Sequence, residues 1–180
     1  MRLSAVACSL ATSNRIRYFT AVVKARSDKP QTRQRQLTYL RALETIPNLT
    51  IHTGHYVSRP LRMRLANPPI ERPATVEVIR DEEKGSDVNL ATHLLLDAFK
   101  RDCQAAVVIS NDSDLEEPVI VTQSELGLTV GVINPHPPRS RSRALRPTFF
   151  KQIRPAALRA CQFPPVLTDA HGKIRKPAGW

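Results

Sequence analysis

The run Val107-Val108-Ile109-Ser110-Asn111-Asp112-Ser113-Asp114 ends an apolar, strand-like stretch in two closely spaced carboxylates. A third acid, Asp87, opens the amphipathic segment before it. Like charges held this close repel, and one of them protonates unless something positive sits between them. Hard divalent ions such as Mg²⁺ or Mn²⁺ prefer oxygen donors and keep several waters, so two or three carboxylates suffice to hold one. A site of that kind can activate water and neutralise charge on a phosphodiester. The purely structural alternative makes Asp112 a helix N-cap and Asp114 a first-turn acid that complements the helix dipole. An EF-hand is excluded, because its glycine and distal glutamate are missing.

Charge is segregated along the chain. The formal net charge of +11 divides into +10 over residues 1–80, −8 over residues 81–125 and +9 over residues 126–180. An acidic centre flanked by two basic blocks suits a cation site that handles a polyanion, with the basic blocks attracting phosphates. The alternative is that Lys and Arg simply solvate the surface. Arg139, Arg141, Arg143 and Arg146 carry the same choice locally, between phosphate contact and a solvated basic face. Aromatic residues make up only 5% of the chain, which disfavours a broad base-stacking platform.

With 180 residues, 41% of them hydrophobic, the chain can bury one core. Cys8, Cys103 and Cys161 are odd in number and widely spaced, against a disulfide framework or a thiolate zinc site and in keeping with a reducing cytoplasm. No apolar run approaches membrane-spanning length, and residues 3–11 only faintly resemble a signal peptide. His52-x-x-His55 lies in a strand, where a spacing of three puts the rings on opposite faces and disfavours a shared metal. There is no Gly-x-Ser-x-Gly elbow, Walker loop or Gly-x-Gly-x-x-Gly turn, so serine hydrolase, P-loop and Rossmann-type nucleotide sites are not visible.

Strand and helix signals alternate. Strands are expected over residues 15–24, 49–57, 75–80, 105–110 and 128–133. Helices are expected over residues 31–46, with Leu37, Leu40 and Leu43 as its stripe, and from a Ser86 or Asp87 cap to about Arg101. The second of these carries Val88, Ala91, Leu94, Leu95, Ala98 and Phe99 on one face. A further helix is expected over residues 114–126, with Pro118 in its first turn, and a basic helix candidate over residues 139–150. The strand at 105–110 reads as buried on both faces. Residues 59–73, with four prolines, read as irregular. The order implies an α/β, three-layer domain with a mainly parallel sheet over residues 1–153, and a basic tail over residues 154–180 that packs on it. Trp180 is expected to plug a surface groove. In such sheets the working site lies at the carboxyl ends of the strands, where Asp112 and Asp114 fall.

Glu83-Lys84-Gly85-Ser86-Asp87-Val88, followed by Ser110-Asn111-Asp112-Ser113-Asp114-Leu115, resembles the NYN domain, a relative of PIN-type nucleases. The similarity runs from about residue 15 to 153. It implies a PIN-like α/β fold, an Mg²⁺ or Mn²⁺ pocket in which Asp87, Asp112 and Asp114 serve as metal ligands and catalytic acids, and RNA as substrate. The family normally opens with a strand ending close to Asp-Gly-x-Asn. This chain has no acid before Asp28, and Ser13-Asn14 is not that motif, so either the first strand is missing or altered at a truncated or misassigned start, or the site lacks one ligand. A narrower resemblance rests on Arg17-Tyr18-Phe19-Thr20-Ala21, Tyr39-Leu40-Arg41-Ala42-Leu43 and the run from Gly172 to Trp180. It is to a short bacterial NYN subgroup named 6-hydroxy-3-succinoylpyridine hydroxylases (3-monooxygenases), an NADH-dependent step of nicotine breakdown. That resemblance implies NADH, with flavin bound or added, and a small aromatic substrate. The partners expected are thus RNA or another polyanion, alternatively the small aromatic, with no membrane and with a second copy of the chain in a homodimer.

Overall fold

A computed structural model describes residues 15–25, 30–68, 70 and 73–178. The expectations that concern residues 3–11, Cys8, Ser13-Asn14, Asp28 and Trp180 lie outside the described residues. The element order is β1 (Ile16–Ala21), α1 (Gln31–Leu43), β2 (Leu49–Arg64), β3 (Thr75–Lys84), α2 (Ser86–Phe99), β4 (Ala105–Ile109), a 3₁₀ turn (Ser113–Leu115), α3 (Glu116–Ser124), β5 (Thr129–Asn134), a second 3₁₀ turn (Pro138–Ser140), β6 (Phe149–Gln152), α4 (Pro155–Ala160), β7 (Val166–Asp169) and β8 (Gly172–Arg175). This is the α/β class that the alternation predicts.

Two three-stranded sheets carry the fold, in orders β1-β2-β3 and β4-β5-β6, with β7-β8 as a separate hairpin. The pairs β1/β2, β4/β5 and β5/β6 are parallel, while β2/β3 and β7/β8 are antiparallel. Alternation along β1 sorts its side chains to two helical layers. Ile16 and Tyr18 pack with Leu40, Leu43 and Ile46 of the α1 layer. Arg17 and Phe19 turn the other way, to Asp97 and His93 of α2. The second sheet buries Val108, Val130 and Val132 against Leu94 of α2, and Leu115 and Val119 of the α3 segment. α2 therefore ties the two sheets together.

Several elements depart from the local reading. β2 continues through Pro60 to Arg64, paired with β3 from His55↔Lys84 to Arg64↔Thr75, so the first part of the expected irregular excursion, residues 59–64, belongs to a long hairpin. Among the described residues only β3 flanks β2 beyond Gly54, and a strand with one open edge tolerates the missing proline N–H. The basic helix expected over residues 139–150 is absent; a 3₁₀ turn is followed by irregular chain and then β6. That stretch lacks an apolar helical stripe and contains Pro147, while Phe149 and Phe150 find a parallel partner in β5. In β4, Val108 is buried but Val107 and Ile109 are exposed, because α2 and α3 cover one face and no described element covers the other. On α2 the buried stripe is Leu90, Ala91, Leu94 and Ala98, with Val88 and Phe99 turned to solvent. At 100° per residue Val88 and Phe99 lie about 120–140° round the helix from Leu94, too far to share its face. On α1, Leu37 is exposed and Ile46, just past the helix, completes the buried set.

Residues 154–178 fold back on α1. Arg41 Nε donates to Asp169 Oδ2 at 2.6 Å, Arg35 Nη2 donates to the Ala178 carbonyl at 2.9 Å, and Phe163 packs in the α1 core.

A candidate acidic site at the carboxyl edge

Asp87 is placed by two glycines. Gly85 stands at the N-cap of α2 with φ +95°, a left-handed conformation that costs other residues a Cβ clash. Its carbonyl accepts the first helical bond, from Asn89 N–H at 2.8 Å. Neither Ser86 nor Asp87 caps the helix, contrary to expectation; both lie in its first turn, and the Ser86 hydroxyl is buried without a hydrogen-bond partner. Gly54 lets β2 approach the end of β3, since a Cβ there would meet the Lys84 carbonyl oxygen at 2.2 Å.

Asp112 occupies the N-cap of the 3₁₀ turn after β4, and its Oδ1 accepts the Asp114 N–H at 3.0 Å. The Asp112 N–H donates to Ser110 Oγ at 3.1 Å. Asp112 thus plays the capping role that the structural alternative assigns it, leaving Oδ2 open, and both Asp112 and Asp114 are exposed. The three acids still share an electrostatic field. Burial pushes the Asp87 carboxyl above the ordinary range, and the charges of Asp112, Glu83 and Asp114 push it further. Among the described residues no three carboxylate, imidazole or thiol groups converge closely enough to hold a metal ion. What the fold assembles is a patch of negative potential with exposed oxygen donors, without a closed ligand cage.

The flanking loop is built from amides, which the charge pattern does not reveal. Asn111, next to Asp112, uses both ends of its side chain: Nδ2 donates to the Ser140 carbonyl at 2.6 Å and Oδ1 accepts the Ser142 N–H at 2.8 Å. At the end of β5, fully buried Asn134 accepts the His136 N–H at 3.0 Å, while Gln152 donates to the His136 carbonyl at 2.6 Å. Loop residues 136–142 are therefore fastened to the ends of both β4 and β5. Arg139, Arg141 and Arg143 are exposed and have no ion pair among the described residues. The Arg141 guanidinium carbon sits 3.7 Å from the centroid of the Phe150 ring. Arg146 lies farther along, its carbonyl bound by Gln123 of α3.

A second cluster escapes sequence reasoning. His52 and His93 have ring centroids 4.2 Å apart, and Phe19 stacks on His52 at 5.0 Å. Burial, the neighbouring His93 and Arg17 all depress the His52 pKa, and His93 Nδ1 is buried without a hydrogen-bond partner. His55 is exposed, so the two histidines of the His-x-x-His run do not act together.

A dinucleotide phosphate turn finds little here. The turn after β4 contains no glycine.

A curated protein of Pseudomonas putida (strain DSM 28022 / S16), 6-hydroxy-3-succinoylpyridine 3-monooxygenase HspA, is 28% identical over 185 aligned residues, covering 95% of this chain and 59% of that protein. The chain thus spans less than two thirds of this relative's length. A crystal structure of a protein of unknown function from Vibrio parahaemolyticus RIMD 2210633 aligns with a TM-score of 0.45 and 17% identity, over 76% of this chain and 67% of that one. No helix among the described residues is long and apolar enough to cross a membrane. The NYN domain family model matches residues 1–153, which carry both acidic segments and all six strands of the two larger sheets; the chain belongs to the NYN domain family.

Proposed function

We propose that this chain is a divalent-cation-dependent, ribonuclease-like NYN protein whose working groups are Asp87, Asp112 and Asp114. The observation that carries the reading is the placing of Asp87 at the start of α2 and of Asp112 and Asp114 in the turn after β4, where burial first, and then the charges of Asp112, Glu83 and Asp114, raise the Asp87 carboxyl. The donor set is hard and oxygen-only, and its open geometry suits an ion that keeps most of its waters, as Mg²⁺ and Mn²⁺ do. Such an ion, when bound, supplies charge neutralisation at a phosphodiester and an acidified water. The chain's own part is to hold it. Asp112 offers the oxygen that its N-cap bond leaves free, and Asp87 and Asp114 accept hydrogen bonds from the hydrating waters. RNA is the polyanion that the NYN resemblance implies, drawn in by the basic blocks on either side.

The test is Mn²⁺ titration by calorimetry, with cleavage of a labelled RNA, on the wild type and the Asp112→Asn/Asp114→Asn variant. The reading expects saturable Mn²⁺ binding and metal-dependent cleavage, both lost in the variant while circular dichroism is unchanged. Cleavage that persists in the variant sinks it.

The second reading, an NADH-dependent monooxygenase acting on a small aromatic, is favoured by the 28% identity to the named Pseudomonas relative. Oxygen activation demands a redox centre or a reactive cofactor pair, which side chains alone do not provide. NADH oxidation that depends on 6-hydroxy-3-succinoylpyridine, with or without added flavin, and that survives the double substitution would establish this reading over the first.

A further inference from the structure

We infer that the loop carrying Arg139, Arg141 and Arg143 is the single-strand-binding rim of the acidic site, with Arg141 as a stacking surface for a nucleobase and Arg139 and Arg143 as phosphate contacts. The inference rests on the phosphodiester reading of that site and adds how the strand is gripped.

Three observations meet at this loop. It is fixed in place: Asn111 binds the Ser140 carbonyl and the Ser142 N–H, and Gln152 and Asn134 bind the backbone of His136. Asn111 immediately precedes Asp112, so the same strand end carries an acid of the site and the tether of the rim. A loop held at both ends loses less entropy on binding than a free one.

Its charge is uncommitted. Arg139, Arg141 and Arg143 are exposed without a carboxylate partner among the described residues, and they stand three in five positions beside the acidic turn. Unpaired guanidinium groups on an ordered backbone can meet phosphate oxygens bidentately.

Finally, Arg141 already rests on an aromatic ring. Its guanidinium lies over Phe150, 3.7 Å from the ring centroid, and its residue is exposed, so one face is supported and the other is open to a ligand. Unstacked bases of single strands pack on guanidinium planes, and a ring behind the planar guanidinium holds it in position. A base within a duplex is stacked on its neighbours and cannot use this face. The ligand class is therefore a single-stranded nucleic acid. With so few aromatics in the chain, a Phe-supported arginine supplies the stacking that an aromatic platform otherwise gives.

Asn111 is a positioning residue here, and the arginines are the binding residues. The test uses the full chain with EDTA, so that no cleavage intervenes, and a fluorescein-labelled single-stranded oligoadenylate read by anisotropy over a sodium chloride series. Arg139→Ala/Arg143→Ala should flatten the log–log salt slope by roughly 1.4, about 0.7 for each lost phosphate contact on a single strand. Arg141→Lys keeps the charge and removes the plane, so it should leave the slope unchanged and weaken binding by at least about fivefold. Asn111→Ala removes no charge and should still weaken binding; if it unfolds, the arginine variants carry the test. Wild-type affinity and slope in both arginine variants would overturn the inference, as would a wild-type preference for an RNA duplex over the single strand. The two readings fail separately. Arginine-dependent binding in EDTA without Mn²⁺-dependent cleavage refutes the nuclease reading alone, and cleavage lost in Asp112→Asn/Asp114→Asn with unaltered binding by the arginine variants refutes this one alone.

Discussion

Arg17 grips Asp97 through two parallel bonds, Nε to Oδ2 at 2.9 Å and Nη2 to Oδ1 at 2.8 Å, and so fastens β1 to α2 across 80 residues of sequence. Both side chains are only 20% exposed, and Arg15 adds a longer contact to the same carboxylate at 3.3 Å. Since α2 also carries Asp87 in its first turn, this pair helps set the distance between the first sheet and the acidic edge.

Breaking the fork by Asp97→Ala leaves a half-buried guanidinium without its acceptor, and should cost about 2 kcal/mol in urea denaturation. The hydrogen bond from Arg17 holds the Asp97 carboxyl below its ordinary range. Its stabilising contribution is thus fully present above the unfolded carboxylate pKa and is lost as pH falls through the depressed folded value. Asp97→Asn should weaken the dependence of the midpoint on acid pH, and an unaltered acid limb would show that the pair contributes nothing.

Gly54 and Gly85 control where Asp87 stands. Gly85→Ala, at φ +95°, should cost about 1 kcal/mol or more. Gly54→Ala drives a methyl group into the Lys84 carbonyl and should cost about 1–3 kcal/mol. Chemical denaturation measures both; equal and negligible effects would mean that the β3–α2 junction relaxes freely.

Asp87→Asn removes one of several mutually repelling acids. Because burial and the charges of Asp112, Glu83 and Asp114 already penalise its ionised form, the substitution should leave Tm at neutral pH unchanged or raise it, while weakening Mn²⁺ binding. A clear fall in Tm would instead mark Asp87 as a structural acid with a partner that stabilises its charge.

Arg41 and Asp169 clamp the β7–β8 hairpin to α1. Hydrogen bonds from the Arg41 guanidinium, the largest effect, and from the His171 N–H hold the Asp169 carboxyl at about 2. The clamp is complete above the ordinary carboxylate range near 3.8 and is lost as pH falls from there through about 2. Hydrogen-exchange protection over residues 164–176, measured relative to the intrinsic rate at each pH, should fall in that acid window, and Arg41→Ala should reproduce the loss at neutral pH. Protection that survives Arg41→Ala would assign the hairpin's hold to Phe163 and Ile174 instead.

What the sequence determined is local. The alternation of strand and helix, Pro118 inside the first turn of a helix, and the placing of Asp87 at a helix start and Asp112/Asp114 after a strand follow from short-range periodicity and backbone chemistry, which do not depend on distant neighbours. The tertiary structure decided whatever needed a partner far along the chain. Pro60 looks like a breaker until β3 pairs with the strand around it, and Phe149-Phe150 looks like the end of a basic helix until β5 lies beside it. The exposure of Val107 and Ile109 depends on which faces the helices cover, which an apolar run of five residues cannot specify. The pairing of Arg17 with Asp97, the approach of His52 to His93 and the tether from Asn111 to Ser142 join residues 31 to 80 positions apart. Such contacts are chosen by packing geometry, because many arginines and asparagines could have made them and only the fold brings these side chains within reach.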